Sequence, residues 1–241
     1  MSEKMKKVTL VFLFSACLLA LMSCKKVSVR TGNTNDKGKV WRECVVSSFE
    51  RVNVDAACNI EFIQSDTTRV LLKGRQRDID RVKLWTENET LHVCHKAVSW
   101  KKDFGGYKPV KVYVYSPDLI GLTMESASNV DVKGLLDTDT LNIRMNGAGN
   151  LEFDKVVCDR LTLQLGGAGN ADIDKLTAQS SDIILKGVGN IDVGFVNSGS
   201  ARCSVLGVGN IELEGTLRRL YKKIYGAGHI DTGKLKVEEV L

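Results

Sequence analysis

Proline is almost missing from this chain, with two residues in 241. That scarcity suits a fold in which most backbone N–H groups serve a strand ladder, because proline donates nothing to one. Helical spacing is missing as well: through the C-terminal half no apolar set recurs at three and four residues. Gly187-x-Gly189 is therefore not a dinucleotide fingerprint, since no helix follows to aim its N-terminus at a phosphate. No apolar run reaches the ~20 residues that a membrane-spanning helix needs. Concentrated positive charge is absent too. The formal charge of +5 is carried by scattered residues, which gives no footprint for nucleic acid. Metal-ligand pairs are lacking: His92-x-Cys94 puts two capable groups on one strand face without a second pair elsewhere.

What the chain has in quantity is glycine, 22 residues, and much of it recurs in one phrase. Ser126-Ala127-Ser128-Asn129 is followed by Gly147-Ala148-Gly149-Asn150 and Gly167-Ala168-Gly169-Asn170. Gly187-Val188-Gly189-Asn190, Gly207-Val208-Gly209-Asn210 and Gly226-Ala227-Gly228-His229 complete the series, at steps of 21, 20, 20, 20 and 19 residues. A period this regular means one structural unit copied and stacked. After each Asn or His comes an apolar residue, then an acid: Asp131, Glu152, Asp172, Asp192, Glu212 and Asp231. Before the turn, Leu161-Thr162-Leu163-Gln164-Leu165 alternates with period two. Alternation on both sides of a glycine corner predicts strand, bend and strand. The glycines supply the positive φ that a sharp corner needs.

Single hairpins cannot bury the inward face of such a unit, whereas a right-handed parallel β-helix can, with each ~20-residue coil lying about 4.8 Å over the last. Two longer strands and a short third side fit the coil, the third side showing as Lys155-Val156, Lys175-Leu176 and Phe195-Val196. Six coils make a prism about 24 Å tall. The expected class is all-β.

The beginning of the chain reads differently. Lys4, Lys6 and Lys7 precede an apolar run from Val8 to Leu21, which fits a secretory leader over residues 1–23. Leu21-Met22-Ser23-Cys24 resembles a bacterial lipobox, which implies cleavage before Cys24 and lipid on its thiol. Loss of Lys4, Lys6, Lys7 and Glu3 with the leader takes the charge from +5 to +3. Residues 24–40 are polar and read as a flexible tether. Lys25-Lys26 stand where some surface-exported lipoproteins carry acids, which points to an outer-membrane lipoprotein facing the periplasm rather than the surface.

From Trp41 to Asp118 the pattern is strand-like but irregular, at Phe49–Val54, Asn59–Gln64, Arg69–Leu72, Leu91–His95 and Val110–Tyr115. Ala57-Cys58-Asn59-Ile60-Glu61-Phe62 is a worn copy of Ala148-Gly149-Asn150-Leu151-Glu152-Phe153, as terminal units of solenoids often are. One or two helical turns are expected within Asp78–Trp85, and a long loop over Trp100–Pro109. This N-terminal β region, 41–118, precedes the repeat array, 119–241. The repeats, Phe49-x-x-Val52-x-Val54, and Val112-x-Val114-x-x-Pro117-x-Leu119 resemble the "putative auto-transporter adhesin, head GIN" family over most of residues 46–234. The resemblance implies a β-helical, non-catalytic, adhesin-like domain of bacterial exported proteins and lipoproteins, and it supplies no catalytic residues.

Three residue sets remain as candidates. The corner residues Gly147, Gly149, Asn150, Gly167, Gly169, Asn170, Gly187, Gly189, Asn190, Gly207, Gly209, Asn210, Gly226 and Gly228 read as structural, with Asn129 beginning a column of stacked amides. His229 caps that column. The six acids would share one outward face, where directly opposed like charges destabilise a sheet. That column is either a solvated face screened by salt, a weak divalent-cation ladder, or a carbohydrate contact. Gly166-Gly167-Ala168-Gly169-Asn170-Ala171-Asp172 misses the calcium nonapeptide, since its acid falls one residue late and the period is 20 rather than nine. Past the leader and Cys24, five cysteines remain: Cys44, Cys58, Cys94, Cys158 and Cys203. An odd set leaves at least one free thiol, and Cys203 falls at an inward position.

No cofactor is implied. The function expected is a lipid-anchored, non-enzymatic adhesin-like or interaction module, offering β faces to an unknown protein or carbohydrate partner. The alternative is a polysaccharide-active β-helix enzyme. Such an enzyme needs a singular acid and base cluster, and this array is uniform.

Overall fold

A computed structural model describes residues 38–95 and 106–239. The leader, Cys24, most of the tether and most of the Trp100–Pro109 loop lie outside them. Fourteen strands form one continuous sheet: β1 (Lys39–Cys44), β2 (Arg51–Asp55), β3 (Cys58–Gln64), β4 (Arg69–Arg75), β5 (Val82–Glu87), β6 (Thr90–His95), β7 (Val110–Ser116), β8 (Gly121–Met124), β9 (Ser128–Met145), β10 (Ala148–Leu165), β11 (Ala168–Leu185), β12 (Val188–Val205), β13 (Val208–Ile224) and β14 (Ala227–Glu239). From β9 to β14 each long strand is one coil lying parallel on the next. This is the expected β-solenoid, with coils of about 20 residues.

Each coil has three sides because its alternation breaks twice. In β10, Leu151 and Phe153 point inward, then Val156 and Cys158, then Leu161, Leu163 and Leu165, with the breaks at Asp154-Lys155 and Asp159-Arg160. Side chains of one column meet their own kind in the next coil, as Leu163 meets Ile183 and Ile183 meets Cys203. Burial of each such Leu, Ile or Phe stabilises by about 1.5–3 kcal/mol, and among the described residues these columns join the N-terminal strands in one core.

The corner closes by a repeated hydrogen-bond pattern. Leu165 O accepts from Lys186 N at 2.8 Å and Gly187 N at 3.0 Å, and Val188 N donates to Gly167 O at 2.9 Å. In the four phrases between Gly147 and Asn210 the two glycines have different reasons. The second, as at Gly189 with φ +150°, adopts a conformation that L side chains avoid. The first lacks positive φ, but a Cβ on Gly187 would sit 1.9 Å from Gly167 O of the coil beneath. Close backbone approach excludes a side chain there, a cause that the expectation of positive φ alone does not cover.

The N-terminal strands continue two of the three sides, and out of chain order. β3 pairs in parallel with both β7 and β9, and β2 with both β6 and β8. The worn copy is thus a true member of the stack, with Asn59 opposite Asn129 and Glu61 opposite Asp131. The stretches on either side of residue 118 share one sheet and one core. Antiparallel strands end the stack: β4 and β1 beyond β7, and β5 beyond β6. The helical turn expected within Asp78–Trp85 is a correction. One turn, α1 (Gln76–Ile79), comes earlier, and Val82–Glu87 is a strand. Local propensity yields there to pairing with β6, where Trp85 stacks on His92 at 4.7 Å and Lys83 covers the Trp85 ring at 4.5 Å.

Candidate functional site

The corner amides form the ladder that their spacing predicts. Asn170 Nδ2 donates to Asn150 Oδ1 and Asn190 Nδ2 to Asn170 Oδ1, each at 3.2 Å. It starts one strand earlier than the glycine phrase, since Asn129 Nδ2 donates to Asn59 Oδ1 at 3.1 Å. His229 stands opposite Asn210 at the far end and is exposed.

The acid column also stands in register. Asp131 lies opposite Glu152, Glu152 opposite Asp172, Asp172 opposite Asp192, Asp192 opposite Glu212, and Glu212 opposite Asp231. Cations meet it near its ends, with Lys111 Nζ 2.7 Å from Glu61 and Lys234 Nζ 2.8 Å from Glu212. The centre is strained. Partial burial raises the Asp172 carboxyl above its ordinary value, and Asp174, Asp192, Glu152 and Glu214 add to the rise. Burial, Glu212 and Glu214 raise Asp192, and Lys234 offsets part of this. Among the described residues no three Asp, Glu, His or Cys side chains converge to hold a metal ion. The column is a ridge of neighbours, one carboxylate per coil.

A groove of about 570 Å³ lies elsewhere, on the corner between the second and third sides, crossing β9 to β13. Four coil steps make it about 19 Å long. The inward column beneath it is small in four successive coils, Thr138, Cys158, Ala178 and Ser198, where the neighbouring columns mix Leu, Ile or Phe with the occasional small residue. With less volume inside, the corner sinks. In β12 the register shifts between Phe195 and Ser198, and Asn197 takes φ +47°. Ser198 compensates for its polarity, its Oγ donating to Leu176 O at 2.9 Å and accepting from Ala178 N at 3.1 Å.

The groove wall is polar and graded along its length. Asp137, Asp139 and Asp159 line one half, Thr177, Gln179, Asn197 and Ser200 the middle, and Arg218 and Arg219 the other end. Gln179 Nε2 donates to Asp159, and both arginines pair with Glu239. Such a strip offers donors and acceptors repeated at coil spacing, which suits a linear polymer.

Nucleophilic chemistry has no partner set there. Burial pushes the Cys158 thiol up to about 11, so it is protonated and inert at neutral pH. None of the three histidines lines the groove. His92 stacks on Trp85, His95 meets Tyr107 Oη at 2.8 Å, and His229 ends the amide column. Cys44, Cys58, Cys94, Cys158 and Cys203 are all free thiols. Cys203 is fully buried at its inward position, where burial pushes its thiol up to about 12. The sequence reading misses the groove residues. Their signal was a run of small residues in one inward column, visible only once the columns are aligned.

The family profile described as "Putative auto-transporter adhesin, head GIN domain" matches residues 48–174 and 161–241. Among crystal structures, a "putative adhesin" from Bacteroides fragilis NCTC 9343 is 24% identical and superposes with a TM-score of 0.66, covering 83% of this chain and 99% of that one. A "putative lipid binding protein" from Parabacteroides distasonis ATCC 8503 is 17% identical, with a TM-score of 0.49 and coverage of 81% and 97%. A "putative adhesin" from Parabacteroides merdae ATCC 43184 is 14% identical, with a TM-score of 0.47 and coverage of 81% and 97%. No curated protein matches the sequence.

Proposed function

The chain belongs to the head GIN domain family, and from that premise we propose that it is a non-enzymatic interaction module of the cell envelope. A lipid on Cys24 holds it to the outer membrane, facing the periplasm, and its polar groove grips a linear polymer, carbohydrate in the first instance. The observation that carries this reading is the groove itself, with hydrogen-bonding side chains on five successive strands. A binding strip gains affinity from many weak, repeated contacts, whereas a catalyst needs one constellation unlike its neighbours. The groove supplies the first arrangement. The adhesin-like family supports it as well.

The test is a glycan screen on the mature polypeptide, followed by Thr177→Trp to fill the middle of the groove. Thr177 is half-buried on the groove wall, with its Oγ1 donating to Val196 O at 3.2 Å. The substitution should weaken retention of the bound polymer about tenfold or more while the far-ultraviolet spectrum stays unchanged. Undiminished binding by the filled variant refutes the groove as the contact. Release of shortened products from the polymer refutes the non-enzymatic reading.

A further inference from the structure

Six of the nine large hydrophobic side chains left exposed among the described residues lie on the last three glycine corners or on the strand between the last two. They are Val188, Leu206, Val208, Tyr221, Ile224 and Tyr225, with Tyr225 72% exposed and Val188 58%. Val188 and Val208 are paired across adjacent coils, and Leu206 and Tyr225 hold the same place in successive corners, their N–H groups bonded to Leu185 O and Val205 O, while Ile224 follows Val205 in the inward column, bare at the end of the stack. Two physical causes leave the set bare. β14 covers only the first two sides of the last coil, its pairing with β13 ending at Arg219↔Glu239. Leu220–Ile224 therefore carries no further strand among the described residues. The corners also change chemistry along the stack. Earlier coils turn with Asn146, or with Gly166 and Ala168, and make the same hydrogen bonds, so the fold does not require Leu206, Val208 or Tyr225.

Basic residues ring the patch: Lys186 at the preceding corner, and Lys222 and Lys223 on the bare strand. Lys222 occupies a column that is Ile183 and then Cys203 in the coils before it. A cation in that column opposes a second copy stacked end on, which would bury its ammonium beside the like charge of its mate. The corner residues stand along a prism edge, and the pocket of about 290 Å³ that touches the set beside Tyr221 is lined by polar residues such as Asp182, Arg202 and Ser200 rather than by an apolar peptide slot. Nearby Asp182 is registered opposite Arg202, and the acid ladder lies on the adjoining side, Glu212 being four residues past Val208.

We propose that this ridge docks on an anionic phospholipid surface. Leu206, Val208 and Ile224 enter the acyl boundary, the tyrosines sit at headgroup level, and the lysines reach the phosphates. A fluid bilayer deforms around a prism edge, as a rigid protein surface cannot. Exposed apolar area of this kind marks an interaction site. The contact is independent of the lipid on Cys24 and of the groove, which lies on a different corner.

The test uses the polypeptide starting at Lys25, which contains all the strands and core residues found among the described residues. It should sediment with vesicles containing phosphatidylglycerol and far less with pure phosphatidylcholine. Leu206→Ser with Tyr225→Ser should lower the partition about tenfold or more, as should Lys222→Glu with Lys223→Glu. Ala148→Ser, at an earlier corner, should change nothing, and all variants should keep the parent's melting temperature. Equal binding to both vesicles, no binding, or equal binding by parent and variants overturns the proposal. So does a concentration-dependent dimer, seen by light scattering, that the Leu206 and Tyr225 substitutions abolish, which would give the ridge to a second copy.

Discussion

Replacing Gly189 by alanine tests the corner at its tightest point. Gly189 has φ +150°, and a Cβ there would lie 1.7 Å from Gly169 O and 2.8 Å from its carbonyl carbon. Forcing a non-glycine residue into that backbone region costs about 1–3 kcal/mol. The contact adds to this, because backbone cannot swing aside as a side-chain tip can. The coils must part locally, which weakens bonds such as Val188 N to Gly167 O and Val208 N to Gly187 O, each worth about 0.5–1.5 kcal/mol. A total of about 2–5 kcal/mol follows, or a fall in melting temperature of roughly 5–15 °C for a domain of this size. Two controls divide the causes. Gly134 has φ +76° with nothing within 4 Å of its Cβ position, so Gly134→Ala carries strain alone. Gly187 has no positive φ but meets Gly167 O at 1.9 Å, so Gly187→Ala carries contact alone. Thermal and urea unfolding by circular dichroism should rank the losses Gly189 above Gly187 and Gly134. If Gly189→Ala costs no more than Gly134→Ala, close stacking does not set the corner.

Cys24→Ala should leave the protein in the soluble fraction once the leader is removed, where the parent needs detergent; a membrane-bound mutant would end the lipid assignment. Asp172→Asn with Asp192→Asn should stabilise at neutral pH by about 1 kcal/mol or less, given solvent screening. Both carboxyls have raised values in the fold, so the folded state holds their protons more tightly and the parent loses stability as pH rises through that window. The gain of the Asn pair should be full above the raised values and vanish below about pH 4. In the parent, calcium and sodium chloride at matched ionic strength should raise the melting temperature alike, because among the described residues no three ligands converge. A calcium-specific rise that the Asn pair abolishes would make the ladder a cation site.

The repeat array was legible because its pairing is nearly local. With a period near 20, the partner of Glu152 is found by adding one period, and identical residues reveal the register without a structure. Amide ladder, acid column and inward Cys203 all follow from that rule. Asp78–Trp85 shows where it fails: the stretch carries a plausible helical turn, and only β6 beside it makes Val82–Glu87 a strand.

What the amino-acid sequence determined by itself was therefore the coil: its length, its corners and the columns that stack. Tertiary structure alone decided the rest. β2 lies between β6 and β8, and β3 between β7 and β9, although residues 65–89 intervene in the chain; no period connects those strands, so their partners are chosen by shape and burial. The groove exists because Thr138, Cys158, Ala178 and Ser198 form one thin column, a volume deficit summed over coils that no single coil displays. Among the described residues Leu220–Ile224 is uncovered because the pairing of β14 with β13 ends at Glu239. A repeating sequence specifies its neighbours, while ends, hollows and edges belong to the assembled stack, where the burial of one side chain depends on which strand lies over it.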